Sequence, residues 1–349
     1  MNSQSAQFED INFLEEKLKS AQLPKDLYAK AAADIERLVR LASAKGYGEE
    51  YDAVSRYLDW ITSIPWNTRS QDVLALENAK KVLDTNHFGL EKVKDRILEF
   101  VSVDNLRSAK GEKSNSPALL LLGLVGTGKT TMAYSVAEAL GRKFGRIPMG
   151  GMGDASQLRG RSRAYPDAEP GQIVKVLRRV QTKNPVILLD EIDRVTEEAR
   201  ADVMGVLVEL LDPEQNSGFI DHYIDYPIDL SEVLFITTAN NTGKIATAVL
   251  DRLEILEMPS YTDQQKIIIA KSYLLPRDLA ASGLSPGDIQ IDEKVWSQIV
   301  RPLGFDAGMR TLDRTIKGIC RKIAKQKVEN KVSKVVISEA NFKEYLPSY

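Results

Sequence analysis

One cysteine, Cys320, and two histidines, His87 and His222, are all that 349 residues contain of either type. A single thiol forms no intrachain disulfide, and so few nitrogen and sulfur ligands exclude a cysteine- or histidine-based zinc site. Cys320 itself lies in Ile319-Cys320-Arg321-Lys322-Ile323, which reads as a small apolar residue on a helix face. Charge of one sign is also missing: 47 Lys plus Arg stand against 49 Asp plus Glu, a formal net charge of −2. That balance argues against a dedicated nucleic-acid binder, although a local basic patch is compatible with it. No apolar run reaches the ~20 residues that span a bilayer. Met1-Asn2-Ser3-Gln4 begins no signal-peptide core. A cytoplasmic protein without membrane contact is the expectation. What is present is ordinary for globular chains, 43% apolar and 28% charged residues, in a length suited to two or three domains.

One stretch organises the rest. Gly123-Leu124-Val125-Gly126-Thr127-Gly128-Lys129-Thr130-Thr131 follows the apolar run Ala118-Leu119-Leu120-Leu121-Leu122 and precedes a helical pattern through Met132, Val136 and Leu140. The spelling G-x-x-x-x-G-K-[ST] between a buried strand and a helix is that of a phosphate-cradling loop. Its glycines let the backbone turn tightly enough to aim N–H groups at a phosphate chain, and the helix adds its positive N-terminal end. Lys129 is expected to reach the β- and γ-phosphates, and the Thr130 hydroxyl to sit on Mg²⁺.

Around this loop the chain divides in three. Residues 1–70 read as a helical N-terminal extension, with apolar spacing at Ile11, Leu14, Leu18 and then Ile35, Leu38, Leu41. Pro24 should open the second helix and Lys45-Gly46-Tyr47-Gly48 close it, and a third should run from Tyr51 to Ile64. Tyr57, Trp60 and Trp66 are expected as packing or docking surface. Residues 71–258 alternate strand and helix signals, which argues an α/β sheet with crossover helices. Strands are expected at Lys143–Met149, Val186–Leu189, Val233–Thr238 and Glu254–Glu257, after a solvated loop at Lys110–Ser116. Residues 259–349 return to helix, broken at Ser285-Pro286-Gly287 and Arg301-Pro302-Leu303-Gly304.

The strand Val186–Leu189 ends in Asp190-Glu191. An Asp there places a carboxylate beside Mg²⁺ at Thr130, and the adjacent Glu191 polarises an attacking water, which favours hydrolysis over binding alone. Thr237-Thr238-Ala239-Asn240 ends the next strand, where the Asn240 amide would orient that water. Arg252, just before the last strand, and Arg310, in Gly308-Met309-Arg310, are the arginines placed to stabilise transition-state charge.

In this order the motifs resemble the AAA+ ATPases, and within them the Lon ATP-dependent proteases. The Lon-like stretches are Tyr57-Leu58-Asp59-Trp60 with Ile64-Pro65-Trp66, His87-Phe88-Gly89-Leu90-Glu91-Lys92-Val93-Lys94, and Leu140-Gly141-Arg142-Lys143-Phe144. Lys183-Asn184-Pro185-Val186, Leu211-Asp212-Pro213-Glu214-Gln215-Asn216, Asp221-His222-Tyr223 and Leu250-Asp251-Arg252 continue the match to the C-terminus. The resemblance implies a P-loop core with a five-stranded parallel sheet, an N-terminal helical subdomain and an all-α lid. It implies ATP and Mg²⁺ as ligands, with His87, Phe88 and Gly89 near the adenine, Asn240 as first sensor and Arg310 as second. Arg252 would be the finger offered to a neighbouring subunit's nucleotide, hence a homo-hexamer acting on a polypeptide substrate, with a separate protease component as a further partner. His222 is read as structural.

Three departures qualify the match. The family carries a Ser–Lys protease domain after the lid, whereas Tyr349 falls where the lid should end and Ser285 reads as a loop residue; this polypeptide is not expected to cleave peptide bonds. The loop that grips substrate reads Arg159-Gly160-Arg161-Ser162-Arg163-Ala164-Tyr165-Pro166-Asp167-Ala168-Glu169-Pro170-Gly171, keeping the aromatic Tyr165 but with a stiffer, more acidic continuation. Leu124-Val125 replace two prolines usual in the phosphate loop, at positions that do not bind phosphate. Two rival readings follow: a nucleotide-binding regulatory or assembly subunit without unfoldase activity, and a DNA-remodelling ATPase using Arg159, Arg161 and Arg163.

Overall fold

Five short strands form the centre of the protein in a computed structural model that describes residues 3–44, 48–110, 117–301, 308–329 and 334–347. The expected helix stop at Lys45-Gly46-Tyr47, most of the loop at 110–116 and the break at 302–304 lie outside the described residues. The strands are β1 (Ala118–Leu122), β2 (Phe144–Pro148), β3 (Val186–Asp190), β4 (Leu234–Ala239) and β5 (Leu253–Glu257). They lie in the order β2-β3-β4-β1-β5, and every pairing is parallel.

A parallel sheet requires crossovers, and helices therefore cover both faces. The alternation of strand side chains sorts the apolar residues between them. Leu119, Leu121, Val186, Leu188 and Ile236 pack on one side with Leu83, Ile97, Met132 and Val136. Those cover residues come from α4 (Leu76–Asn86), α5 (Glu91–Ala109) and α6 (Lys129–Ala139). Leu120, Ile147, Ile187 and Leu189 belong to the opposite face, with Ile173, Val176 and Leu177 of α7 (Gln172–Val180) and Val203, Leu207 and Leu210 of α8 (Arg200–Leu211). Each core leucine or valine withdrawn from water contributes roughly 1.5–3 kcal/mol.

The N-terminal helices α1 (Ser3–Ser20), α2 (Lys25–Ala44) and α3 (Glu49–Ser63) bury Ile11, Leu14, Leu18, Ile35 and Leu38 as their spacing predicts. This helical core is continuous with that second face of the sheet. Tyr57 donates to the Ile224 carbonyl at 3.2 Å, and the Trp66 indole to the Ile61 carbonyl at 2.8 Å. Burial pushes the Tyr57 phenol up to about 12. Both aromatics are thus packing groups with their polar ends satisfied.

The C-terminal lid has its own core, built on Leu312, Ile316, Ile319, Cys320 and Ile323 of α9 (Arg310–Val328). Cys320 is buried on the inner face of that helix, as its apolar neighbours imply. The lid is helical and adds a short parallel pair, Ile289–Ile291 with Val335–Ile337, where a wholly helical lid was expected. The preceding helix ends at Ala281, where Gly283 turns in left-handed backbone at φ +69°, four residues before the break expected at Ser285-Pro286-Gly287; Pro286–Asp288 is a short 3-10 turn that leads into the strand Ile289–Ile291. Thr262 caps the first lid helix, Asp263–Ile269, in a reciprocal box with Gln265. That helix runs into a π-helical turn at Ala270–Leu274. Pro276 follows, which has no N–H for an i→i−4 bond and whose ring crowds the carbonyl one turn back. No described helix is long and apolar enough to cross a membrane.

Candidate nucleotide site

The carboxyl ends of β1, β3 and β4 converge on one cleft of about 490 Å³. Its floor is the phosphate loop, and its walls come from Asn86–Phe88, Arg146, Asp190-Glu191, Asn240 and the lid. Gly126 and Gly128 adopt left-handed backbone, φ +84° and +93°, which side chains resist. Glycine at position 126 serves a second purpose. A Cβ there would lie 3.1 Å from the Gly308 Cα, and the Met309 N–H donates to the Gly126 carbonyl at 2.9 Å. The lid therefore rests directly on the phosphate loop, and Arg310 enters the cleft from the first position of α9. The Thr127 hydroxyl braces the turn by donating to the Leu124 carbonyl at 3.0 Å, and Thr131 donates to Gly128 at 2.7 Å. Thr130 lines the cleft. Gly123 sits where Met258 approaches so closely that a Cβ would meet its carbonyl at 2.4 Å.

Lys129 is nearly buried, and its ammonium donates to the Gly123 and Leu124 carbonyls at 2.5 and 3.0 Å and to the Asn240 amide oxygen at 3.1 Å. Three acceptors match its three N–H groups. Burial lowers the Lys129 pKa, opposed by the charges of Asp193, Asp190 and Glu191. Asn240 is thereby tied to the phosphate loop through Lys129 and to the acidic strand end through its N–H, which donates to Asp193 at 3.1 Å.

The two acids of β3 are set by one hydroxyl. Thr238 donates to Asp190 Oδ1 at 2.5 Å while accepting the Glu191 N–H at 2.8 Å. Glu191 holds φ +63°, an uncommon left-handed conformation for a side-chain-bearing residue that costs about 1–3 kcal/mol and persists where neighbours enforce it. Here the Thr238 bond holds the Glu191 backbone; Glu191 borders the cleft, and its carboxylate pairs with Arg194 at 3.3 Å. Asp190 is buried and accepts a second group on Oδ2, the Arg146 guanidinium, at 2.8 and 2.6 Å. Arg146 also lines the cleft.

The opposite end of the cleft is apolar and aromatic. Phe88, Tyr261, Ile269, Tyr273 and Leu274 surround it, the last three brought inward by the π-helical turn and its flank. Such a wall suits a flat heteroaromatic ring. Burial lifts the Tyr261 phenol to about 12. His87 also lines this end, nearly buried, with its Nε2 2.9 Å from the Ser135 hydroxyl. Burial, reinforced by the Lys94 charge, lowers His87 to about 4, so the ring is neutral at pH 7. Gly89, at φ +64°, turns the chain after Phe88 and is itself outside the cleft lining.

Hard oxygen donors, the Thr130 hydroxyl and the Asp190 and Glu191 carboxylates, share the cleft with the phosphate loop. One or two carboxylates plus phosphate oxygens is the donor set Mg²⁺ takes. Asp190 Oδ1 retains a lone pair beyond its bond from Thr238. The residues fit the ion.

Arg252 is elsewhere. β1 pairs with β5 from Ala118–Leu253 to Leu122–Glu257, so Arg252 stands at the amino end of the sheet and the phosphate loop leaves the carboxyl end. The five paired residues separate them by about 16 Å at ~3.3 Å per residue. Arg252 lines a different hollow, with Asp212, Pro213 and Asp251. Its Nε donates to Asp212 Oδ2 at 3.1 Å and its Nη1 to the Ala248 carbonyl at 2.8 Å.

Comparison with known proteins agrees with this geometry. The ATPase family associated with various cellular activities (AAA) matches residues 119–260, and the Lon protease AAA+ ATPase lid domain matches residues 280–336. Lon protease 2 of Herpetosiphon aurantiacus is 44% identical over 92% of this chain and 39% of its own length. Lon protease of Clostridioides difficile is 42% identical over 97% of the chain and 43% of its own length. Lon protease 2 of Thermus thermophilus is 40% identical, with 97% and 43% covered. The chain is a Lon-type AAA+ ATPase module. It spans about two fifths of the length of the curated Lon relatives it matches.

Within this Lon module, the structure brings together Lys129, Thr130, Asp190, Glu191, Asn240 and Arg310, all anticipated from sequence, with His87 and Phe88 at the apolar end. Tyr165 lies apart, 65% exposed in its loop. That loop's base is held by Asp221, fully buried, which accepts the N–H groups of Gly171, Tyr223 and Ile224 at 2.7, 2.8 and 3.1 Å. His222 donates its N–H to the Arg159 carbonyl at 2.7 Å. Arg159 pairs with Glu209, Arg161 with Asp154 and Arg163 with Asp34, so the arginines of this loop face carboxylates. Sequence reasoning missed Arg146, Thr238 as a tie between the acids, Asp193 and Asp221. The signal available for Asp193 was its place two residues after Glu191; nothing in the spelling of Phe144–Pro148 marked Arg146.

Proposed function

We propose that this ATPase works in a ring of six copies, in a cytoplasmic setting, and couples ATP turnover to pulling on a polypeptide. Lys129 and the phosphate-loop amides hold the β- and γ-phosphates, Thr130 and Asp190 hold Mg²⁺, and Phe88 with the lid aromatics encloses the adenine. Mg²⁺, when bound, neutralises charge on the phosphate oxygens. Glu191 orients the water for in-line attack on the γ-phosphate, Asn240 positions it from β4, and Arg310 reaches the phosphates from the lid. Arg252 completes the site of the next copy. Tyr165 presents the aromatic that grips substrate, and a protease component joins as a further domain or chain.

The observation that carries this reading is the placement of Arg252 at the sheet end away from its own phosphate loop, tethered at Nε and Nη1. An arginine in that position serves a neighbour's phosphate more readily than its own. The carboxylates facing Arg159, Arg161 and Arg163 weigh against the DNA-remodelling alternative, because ion-paired arginines are poor phosphate contacts.

Glu191→Gln tests the assignment. It is expected to keep ATP affinity, lose about 10²–10⁴ in turnover, and accumulate an ATP-bound assembly of six-fold mass in light scattering. Undiminished hydrolysis removes Glu191 from its role, and a protein that stays monomeric with ATP bound counts against the ring.

A further inference from the structure

The Arg146 guanidinium has no part in the chemistry above, yet it is bound to the acid on which the cation depends. It projects from β2, the strand beside β3, and places both Nε and Nη2 on Asp190 Oδ2, at 2.8 and 2.6 Å. The Asp190 side chain is only 6% exposed, whereas that of Arg146 is 53% exposed and borders the cleft. The other basic groups of the cleft are differently placed. Lys129 is occupied by three oxygens of the loop and Asn240, Arg277 is held by Asp278 and Asp313, and Arg310 comes from the lid. Glu191 has its own basic neighbour, Arg194, at 3.3 Å. Arg146 is therefore the basic side chain ion-paired to Asp190 within the described residues.

A divalent cation approaching Asp190 meets this charge. Either it takes over oxygen lone pairs that now accept from the guanidinium, or it binds Oδ1 with a positive group held on the other oxygen of the same carboxylate. Both routes weaken cation binding. We infer that Arg146 competes with the divalent cation for Asp190 and so sets how much Mg²⁺ the cleft requires before it takes Mg–ATP. The inference rests on Asp190 as the metal-side acid and goes beyond it, by naming the residue that tunes that acid.

The test is the Mg²⁺ dependence of equilibrium binding of a fluorescent ATP analogue to the intact chain, read by anisotropy with no turnover required. Arg146→Gln is expected to lower the half-saturating Mg²⁺ concentration about fivefold, the scale of a partly exposed ion pair. Arg146→Lys keeps the charge but not the two-pronged contact. It is expected to fall between wild type and Arg146→Gln, and it carries the test if the glutamine variant does not fold. An unchanged or increased Mg²⁺ requirement in both variants overturns the inference. Asp190→Asn, run in parallel, separates the two levels. If it weakens Mg²⁺ dependence while the Arg146 variants do nothing, only the role of Arg146 fails. If it leaves Mg²⁺ dependence untouched, the assignment of Asp190 fails and the inference falls with it.

Discussion

The two ends of the central sheet contrast sharply. At the carboxyl end two sets of hydrogen bonds lie side by side, Lys129 with Asn240 and Asp193, and Arg146 with Asp190, Thr238 and the Glu191 N–H. At the amino end Arg252 is braced by Asp212 and a carbonyl beside an open hollow. The first end gathers a phosphate loop, acids and an apolar wall around one cleft. The second has the charge for transition-state stabilisation but no phosphate loop of its own within reach. The difference teaches what the proposed ring would require: the nucleotide cleft and Arg252 stand at opposite ends of one sheet, so under the proposed function they act as a pair only between copies.

Removing Lys129 should have the largest effect on the carboxyl end. Lys129→Ala is expected to abolish measurable nucleotide binding by calorimetry, since it deletes the buried ammonium that bonds the loop to Asn240; retained affinity would place the binding energy elsewhere. At the amino end, Arg252→Ala should bind ATP normally and turn it over about 10³-fold more slowly. Mixing it with Glu191→Gln protein sharpens the contrast. Some activity should return if one copy's Arg252 serves another's Glu191, and a purely additive rate would dissolve the division between the two ends.

The smallest expected effect concerns stability rather than rate. His87 falls from an ordinary 6.5 to about 4 through burial. The folded protein therefore holds His87 neutral while the unfolded chain takes up a proton below pH 6.5. Its contribution is complete above that value and is lost as pH falls towards 4, by about 3 kcal/mol. Denaturant unfolding of His87→Gln compared with wild type should show a flatter stability profile across that window. Parallel profiles would mean that the ring is solvated after all.

Much of the carboxyl end was legible in the chain because its chemistry is written locally. Gly126-Thr127-Gly128-Lys129 needs consecutive residues to make a tight, donor-rich turn, and Asp190-Glu191 needs only a strand to end there. The N-terminal helices were legible for a similar reason, since a helix that buries one face repeats every three or four residues. The lid was less so. Its short parallel pair joins Ile289–Ile291 to Val335–Ile337, distant segments too brief to announce a period of two. The π-helical turn that brings Tyr273 and Leu274 to the cleft depends on Pro276 acting within a packed helix, not on the proline alone.

By itself the sequence determined the phosphate loop, the acidic strand end, the order of strands and helices, and the apolar stripes that assign each element a buried face. Those are properties of neighbours in the chain, governed by backbone sterics and helical or strand period. Only the tertiary structure decided that Arg146 pairs with Asp190, that Thr238 holds both acids, that Asp221 ties the base of the Tyr165 loop, and that Arg252 stands at the far end from its own phosphate loop. All but the Asp221 tie are set by the parallel register of strands, which fixes which distant side chains share an end of the sheet; Asp221 acts through loop N–H groups brought to it by the packing of that loop. Burial then makes the resulting polar contacts obligatory.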